Sequence, residues 1–185
     1  MYQQPPTGIQ AILANKRLVF IGGGVIVALI LIAGIVLSTG GDPLQPNLQH
    51  LVARYDALSK LTLNAPKLIQ NDELNKFNSE ANLLFNSDDA SFSKLLTDKY
   101  GSAELPQDVI DAEATASSDA KLTEASLLGT YDDTYKLLMD QKLVSLQALL
   151  DETRANANSS STLSVIKTAR DNSTALRDRL KQVKL

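Results

Sequence analysis

The chain has 185 residues, with 18 basic and 21 acidic side chains, one histidine, no cysteine and a formal net charge of −3. This composition excludes disulfide bonds and cysteine-ligated metal sites, and it is not the basic composition that nucleic-acid binding selects. No acidic residue precedes Asp42, so residues 42–185 carry 21 acids against 16 bases (18 minus Lys16 and Arg17), a net charge of −5.

Residues 18–37 form a run of twenty positions without a charge, an amide or a proline. At about 1.5 Å per residue such a helix is about 30 Å long, which matches the hydrocarbon thickness of a bilayer. The run is apolar on all sides, whereas a core helix of a soluble protein has a polar face. We therefore predict an uncleaved transmembrane helix over residues 18–37. A signal peptide cleaved after it is the alternative, although such apolar regions usually cover about 7–15 residues.

The flanks of this run predict its orientation. Lys16 and Arg17 precede it and Asp42 follows it, and basic residues stay on the cytoplasmic side. We predict a single-pass protein of the cell membrane, with a short cytoplasmic head at residues 1–17. A linker at 38–46 would then lead to an extracytoplasmic domain at 47–185.

Small residues recur at a spacing of four within the predicted span. Gly24 with Ala28, and Gly34 with Ser38, would allow two membrane helices to approach closely. These four residues are candidate contacts of the transmembrane helix, and they leave self-association into a homo-oligomer open.

Beyond the linker the apolar periodicity is helical throughout. A first helix is predicted over residues 44–62. A second helix carries Leu74 to Phe85 on its apolar stripe and is predicted to break at "NSDDASF", with Ser87 or Asp88 capping a short third helix that stops at Gly101.

The second half of the domain begins with a segment rich in Ala, Ser and Thr, whose predicted apolar positions are Val109, Ala112, Ala116, Ala120 and Leu127. Residues 105–156 could form one kinked helix or two, and we prefer a turn at Gly129, with Thr130 and Asp133 as a capping box. The clearest amphipathic helix follows over residues 131–154, and a last helix covers residues 163–183. The sum predicts an all-α protein, in which the transmembrane helix is followed by an antiparallel up-and-down bundle of five or six helices.

The sequence offers little catalytic chemistry. His50 is the single histidine and no Glu-x-x-His motif occurs, so a ferritin-like di-iron centre is not expected. A Ser-His-Asp triad would depend on this one position. We expect a solvated or partly packed side chain at His50. No phosphate-binding or dinucleotide motif is present. We predict no enzyme activity, no catalytic or metal-ligating residue and no cofactor.

One acidic turn is the candidate partner surface. Asp132 and Asp133 lie between Tyr131 and Tyr135 at the start of a predicted helix. Acids at such positions offset the helix dipole, and capping is the simpler interpretation of this cluster.

The sequence resembles a known group in its anchor and over residues 125–183, which include "ASLLGTYDDTYKLLMDQKLVSLQALLDET" and "TLSVIKTARDNSTALRDRLKQV". This pattern is similar to small membrane-anchored helical proteins of ultrasmall, host-attached bacteria (Saccharibacteria-like). The resemblance implies a bacterial origin and no assigned activity, so it transfers no site residue. The bundle also resembles ferritin-like periplasmic domains, but the metal ligands expected there are missing.

These observations predict a non-enzymatic, membrane-tethered helical module that binds another protein or a component of the cell envelope. The predicted contacts are therefore the lipid bilayer, through residues 18–37, and a protein partner, with no nucleic acid. The alternative is a carrier or sensor whose bundle encloses a small ligand between its helices.

Overall fold

The computed structural model describes residues 42–185, so the predicted head, the predicted span and linker residues 38–41 lie outside the described residues. The described part contains six α-helices, one 3-10 turn and no β-strand, which confirms the all-α prediction. The helices are α1 (Leu44–Asn64), α2 (Asp72–Tyr100), α3 (Gln107–Glu113), α4 (Ala116–Leu127), α5 (Tyr131–Ala155) and α6 (Ser160–Gln182), and the 3-10 turn covers Ala65–Lys67. Between residues 42 and 185, no helix combines the length and the apolar character that crossing a membrane requires.

Side chains and glycines define the helix ends. The Asn71 side chain accepts a hydrogen bond from the Leu74 N–H at 3.0 Å, and the Ser159 hydroxyl accepts one from the Thr162 N–H at 3.2 Å. Gly101 ends α2 at φ +82°, a left-handed conformation that glycine adopts without strain. The predicted stops at Gly101 and Gly129 are confirmed. The predicted capping box is wrong, because the Thr130 side chain makes no capping hydrogen bond.

The predicted break at "NSDDASF" is also wrong, since α2 runs without interruption over 29 residues. Asp88 is buried in the middle of this helix, where its Oδ1 accepts a hydrogen bond from Asn172 Nδ2 at 2.9 Å. Phe85 and Phe92, on either side of Asp88, are both buried. The low helix propensity of Ser and Asp costs a few tenths of a kcal/mol per residue, which the burial of two phenylalanines outweighs.

Four long helices form the bundle, and each packs antiparallel to its neighbours. Along α1 and α2, Asn78 Nδ2 donates to the Thr62 carbonyl at 2.9 Å, and at the other end Tyr100 donates to Asp42 at 2.6 Å. Residue numbers therefore rise along α2 as they fall along α1. The same inversion relates α5 to α6 and α2 to α6. It follows from the pairs Arg170–Asp151 and Arg177–Asp140, and from Asn172–Asp88 and Asn71–Lys184.

The connectivity differs from the simple up-and-down order that the sequence predicts. The Asp132 carboxylate accepts a hydrogen bond from the Asn71 N–H at 2.8 Å, and Tyr135 donates to Asn78, so α2 and α5 begin at the same end of the bundle. These two helices run parallel, because α3 and α4 form a crossover that carries the chain back along the bundle. The structure is a bundle with one long crossover connection.

The two ends of the bundle differ in what they hold. The proximal end contains Asp42, where the described chain begins, and Tyr100 at the end of α2. The distal end contains the 3-10 turn, the Gly129 turn and the C-terminus. There Lys136 Nζ donates to the Val183 carbonyl at 2.6 Å. The 21 residues of α1 place the two ends about 30 Å apart at 1.5 Å per residue.

The core follows the predicted apolar stripes of the four long helices. The ring of Tyr55 stacks on Phe92 at a centroid distance of 5.5 Å and meets Phe85 at 6.2 Å. The crossover departs from the predicted pattern. Its fully covered positions are Val109, Ser118, Leu122 and Ala125, whereas Ala112, Ala116, Ala120 and Leu127 are exposed. The helical phase restarts between Glu113 and Ala116, so one continuous stripe cannot describe this segment.

Candidate functional site

The strongest polar cluster of the bundle joins α1 to the crossover. Arg54 and Glu113 form two parallel hydrogen bonds, from Nε to Oε2 at 2.7 Å and from Nη2 to Oε1 at 2.8 Å. His50, one turn before Arg54, contacts Oε1 of the same carboxylate through Nδ1 at 3.0 Å. Arg54 Nη1 also donates to the Ser145 carbonyl of α5 at 2.9 Å. One guanidinium thus connects three helices.

The electrostatics of the cluster favour an ionised Glu113. Burial alone would raise its pKa, but the hydrogen bonds from His50 and Arg54, with their charges, lower the pKa to about 2. The pKa of the neighbouring Lys142 is also lowered, by burial and by the charge of Arg54, and for a lysine this shift disfavours the charged form. The carboxylate is therefore the fixed negative partner of the cluster at neutral pH.

Two polar side chains of α1 continue this cluster toward the proximal end. His50 is 3% exposed and Asn47 is fully buried, so the prediction of a solvated or partly packed histidine is wrong. The Nε2 atom of His50 and both polar atoms of the Asn47 side chain are buried without a hydrogen-bond partner. Groups of this kind normally find a partner, including ordered water.

A second polar cluster lies at mid-height between α1, α2 and α6. Burial raises the pKa of Asp88 to about 6, although Asn172 donates a hydrogen bond to its carboxylate. The phenol of Tyr55 approaches the same carboxylate without a hydrogen bond of normal geometry, and the hydroxyl of Ser173 is buried without a partner. This cluster places a titratable acid inside the bundle.

Neither cluster has the composition of a metal centre. Within residues 42–185 no group of three or more His, Cys, Asp or Glu side chains could hold a metal ion. The Arg54–Glu113 pair has instead the bidentate geometry of a structural ion pair. Its chemical effect is to hold the last residue of α3 against α1 and α5.

The four residues of the predicted partner surface lie at the distal end. Tyr131 and Tyr135 are buried and stack on each other at 6.0 Å, and Asp132 accepts hydrogen bonds from the backbone N–H groups of Gln70 and Asn71. Asp132 therefore holds the start of α5 against the α1–α2 connection, and Tyr135 contacts α2 through its hydrogen bond to Asn78. Asp133 is exposed. The partner role stays a prediction, and Asp133 is the one residue of the four that is exposed for such a contact.

The other predicted site residues lie outside the described residues. They are Lys16 and Arg17, which set the predicted orientation, and the candidate membrane-helix contacts Gly24, Ala28, Gly34 and Ser38. Their predicted roles stay predictions.

A group of exposed leucines lies at the distal end, and the sequence did not predict it. Nine large apolar side chains of the described residues are exposed, and six of them lie at this end, with exposed fractions from 44% to 84%. They are Leu63, Leu68, Leu127, Leu128, Leu137 and Leu185. We call these six the distal leucines. The sequence feature that indicates this group is the pair Leu127-Leu128 directly before Gly129, because apolar residues next to a turn are not needed for an apolar helix stripe.

Comparison with protein-family models, with curated proteins and with solved structures finds no match for this chain. The resemblance to small membrane proteins of host-attached bacteria therefore stays a prediction.

Proposed function

We propose that this protein is a non-enzymatic, membrane-tethered helical module that binds another protein through the distal end of its bundle. The observation that supports the proposal is the position of the distal leucines. They lie opposite Asp42, where the chain enters the bundle after the predicted membrane span.

Asp42, the first described residue, is held to the bundle by several contacts. Asp42 Oδ2 accepts a hydrogen bond from Tyr100 at 2.6 Å, and Lys99 Nζ lies 3.6 Å from the same carboxylate. Asp42 Oδ1 also accepts a hydrogen bond from the Leu44 N–H at 3.0 Å. These contacts fix Asp42 at the proximal end of the bundle, about 30 Å along α1 from the distal end.

The distal leucines suit contact with a protein. Leu127 is 84% exposed and Leu128 is 68% exposed, so these two side chains gain little from folding of the bundle itself. All six distal leucines lie at one end of the bundle, and clustered exposed apolar side chains are typical of protein-interaction sites. Asp133, Lys136 and Lys181 supply charged groups near Leu137 and Leu185.

The chemistry of the interior supports a non-enzymatic role. The single histidine contacts Glu113, and its second ring nitrogen is buried. A general base must come within hydrogen-bond reach of its substrate, which this placement of His50 does not favour.

Site-specific photocrosslinking in the native cells would test the proposed interface. A photoreactive amino acid at position 127 of the full-length chain should form an adduct with a second protein on irradiation. The matched control carries the same group at Leu83, which is 73% exposed on the side of α2. Adducts at position 127 but not at position 83 are expected. Equal adducts at both positions, or none at position 127, would contradict the proposal.

Protease accessibility would test the proposed location separately. Protease added to intact cells, or to cells whose outer layers have been removed, should degrade residues 42–185 and leave a fragment of the span. Protection of residues 42–185 under both conditions would show that the orientation is wrong.

A further inference from the structure

A groove of about 410 Å³ lies between α1, α2 and the crossover, on the side of the bundle. Apolar side chains line the groove from α1 and from the segment around α3. They are Val52, Ala53, Ala57, Leu105, Ile110 and Ala114. A volume of this size is within the range of small-molecule pockets, about 300–1,000 Å³. The Arg54–Glu113 pair joins the end of α3 to α1 beside this groove.

Asp89 of α2 lines the groove and has an unusual environment. Its Oδ1 atom is buried and has no hydrogen-bond partner, and no ion pair reaches its carboxylate within residues 42–185. Burial and the nearby charge of Asp56 raise the pKa of Asp89 to about 6, although the charge of Lys60 opposes this rise. A half-buried carboxylate without a partner is destabilising unless a donor or a cation reaches it.

The one basic side chain that lines the groove is already paired. Lys60 Nζ donates to Asp56 Oδ2 at 2.6 Å, one helical turn away on α1. Asp56, Asp89 and Lys60 together leave a net charge of −1 in the groove. The groove thus combines apolar walls with a net negative charge.

We propose that this groove binds a small organic cation, a primary amine on a short apolar body, with its ammonium group against Asp89 and its apolar part between α1 and α3. Charge complementarity favours a cation over an anion or a neutral molecule. The apolar walls favour an organic cation over a metal ion, which needs several oxygen ligands. This site lies on the side of the bundle and is independent of the proposed distal interface.

Titration calorimetry on the full-length chain in lipid nanodiscs would test this site, with n-hexylamine as the probe. Saturable binding is expected, with at least tenfold weaker binding of hexan-1-ol and of hexanoate. The Asp89→Asn variant should weaken n-hexylamine binding at least tenfold. Partitioning of the amine into lipid would be the same for both proteins, so their difference reports the groove alone.

A matched control and a second variant keep the test decisive. Glu80→Gln removes one acidic charge from an exposed position of α2 and should leave n-hexylamine affinity unchanged. Ala114→Leu should block binding by filling the groove without changing its charge. Thermal melting of each variant checks that the bundle is folded. Equal affinity of wild type and Asp89→Asn, equal affinity for hexan-1-ol, or no saturable binding would overturn the proposal.

Discussion

Arg54 of α1 and Glu113 of α3 are 59 residues apart in the chain and form a bidentate ion pair with N–O distances of 2.7 and 2.8 Å. Both side chains are about one-tenth exposed. A pair this deeply covered differs from a surface ion pair, because removal of one partner leaves the other charge buried. It is the main polar link between the crossover and the four long helices.

The first prediction follows from this pair. Arg54→Met should destabilise the fold by about 3–5 kcal/mol, since Glu113 would keep a buried charge without its bidentate donor. Arg54→Met combined with Glu113→Gln should cost less than the sum of the two single changes. Urea unfolding of the full-length chain in detergent measures these free energies.

The control for this prediction is an exposed ion pair with a similar N–O distance. Lys167 contacts Asp171 at 2.6 Å, and both side chains are more than 60% exposed. Lys167→Met should change the free energy of unfolding by less than about 1 kcal/mol. A loss at Arg54 no larger than that at Lys167 would show that the pair contributes little.

The second prediction concerns the continuity of α2. Phe92 is fully buried and stacks on Tyr55 at 5.5 Å, so Phe92→Ala should cost about 3–5 kcal/mol of unfolding free energy. Leu83→Ala is the matched control on the same helix, and it should change stability by less than about 0.5 kcal/mol because Leu83 is 73% exposed. Equal effects in urea unfolding would contradict the position of Phe92 in the core.

The third prediction is a stability maximum at mildly acidic pH. The pKa of Asp88 and of Asp89 rises from 3.8 to about 6 in the folded chain, so their contribution is fully present below about pH 4 and is lost as the pH rises through 6. The pKa of Glu113 falls from 4.5 to about 2, so its contribution is present above about pH 4.5 and is lost as the pH falls toward 2.

Melting temperatures recorded from about pH 2 to pH 8 should therefore be highest near pH 4, and they should fall as the pH rises from about 4.5 to 6. Asp88→Asn should reduce the decline on the alkaline side, because it removes one of the two acids that must ionise while buried. A melting temperature that rises steadily from pH 5 to pH 8 would contradict the assigned environments of Asp88 and Asp89.

The fourth prediction tests the buried hydrogen bond between Tyr135 and Asn78. Tyr135→Phe keeps the ring but removes the donor, and it leaves the buried Asn78 Oδ1 without this partner. The cost should be about 1–3 kcal/mol in urea unfolding. Tyr100→Phe, at the exposed contact with Asp42, is the control and should cost less. A neutral Tyr135→Phe would mean that water replaces the lost donor.

The sequence by itself determined the helices and their apolar faces. The stripes of α1, α5 and α6 are buried as their three- and four-residue spacing predicts, because the helix period alone decides which side chains share a face. The stops at Gly101 and Gly129 were also readable, since a left-handed backbone conformation favours glycine locally. These features depend on residues within one or two turns of each other.

Only the tertiary structure decided how the helices connect and what the polar residues do. Ser87 and Asp88 look like a helix break until Asn172, 84 residues after Asp88, supplies the donor that lets the acid remain inside α2. His50 looks like a solvated residue until Glu113 reaches it from the crossover. In both cases the partner comes from a distant part of the chain, and no local spacing encodes which distant segment will meet a buried polar group.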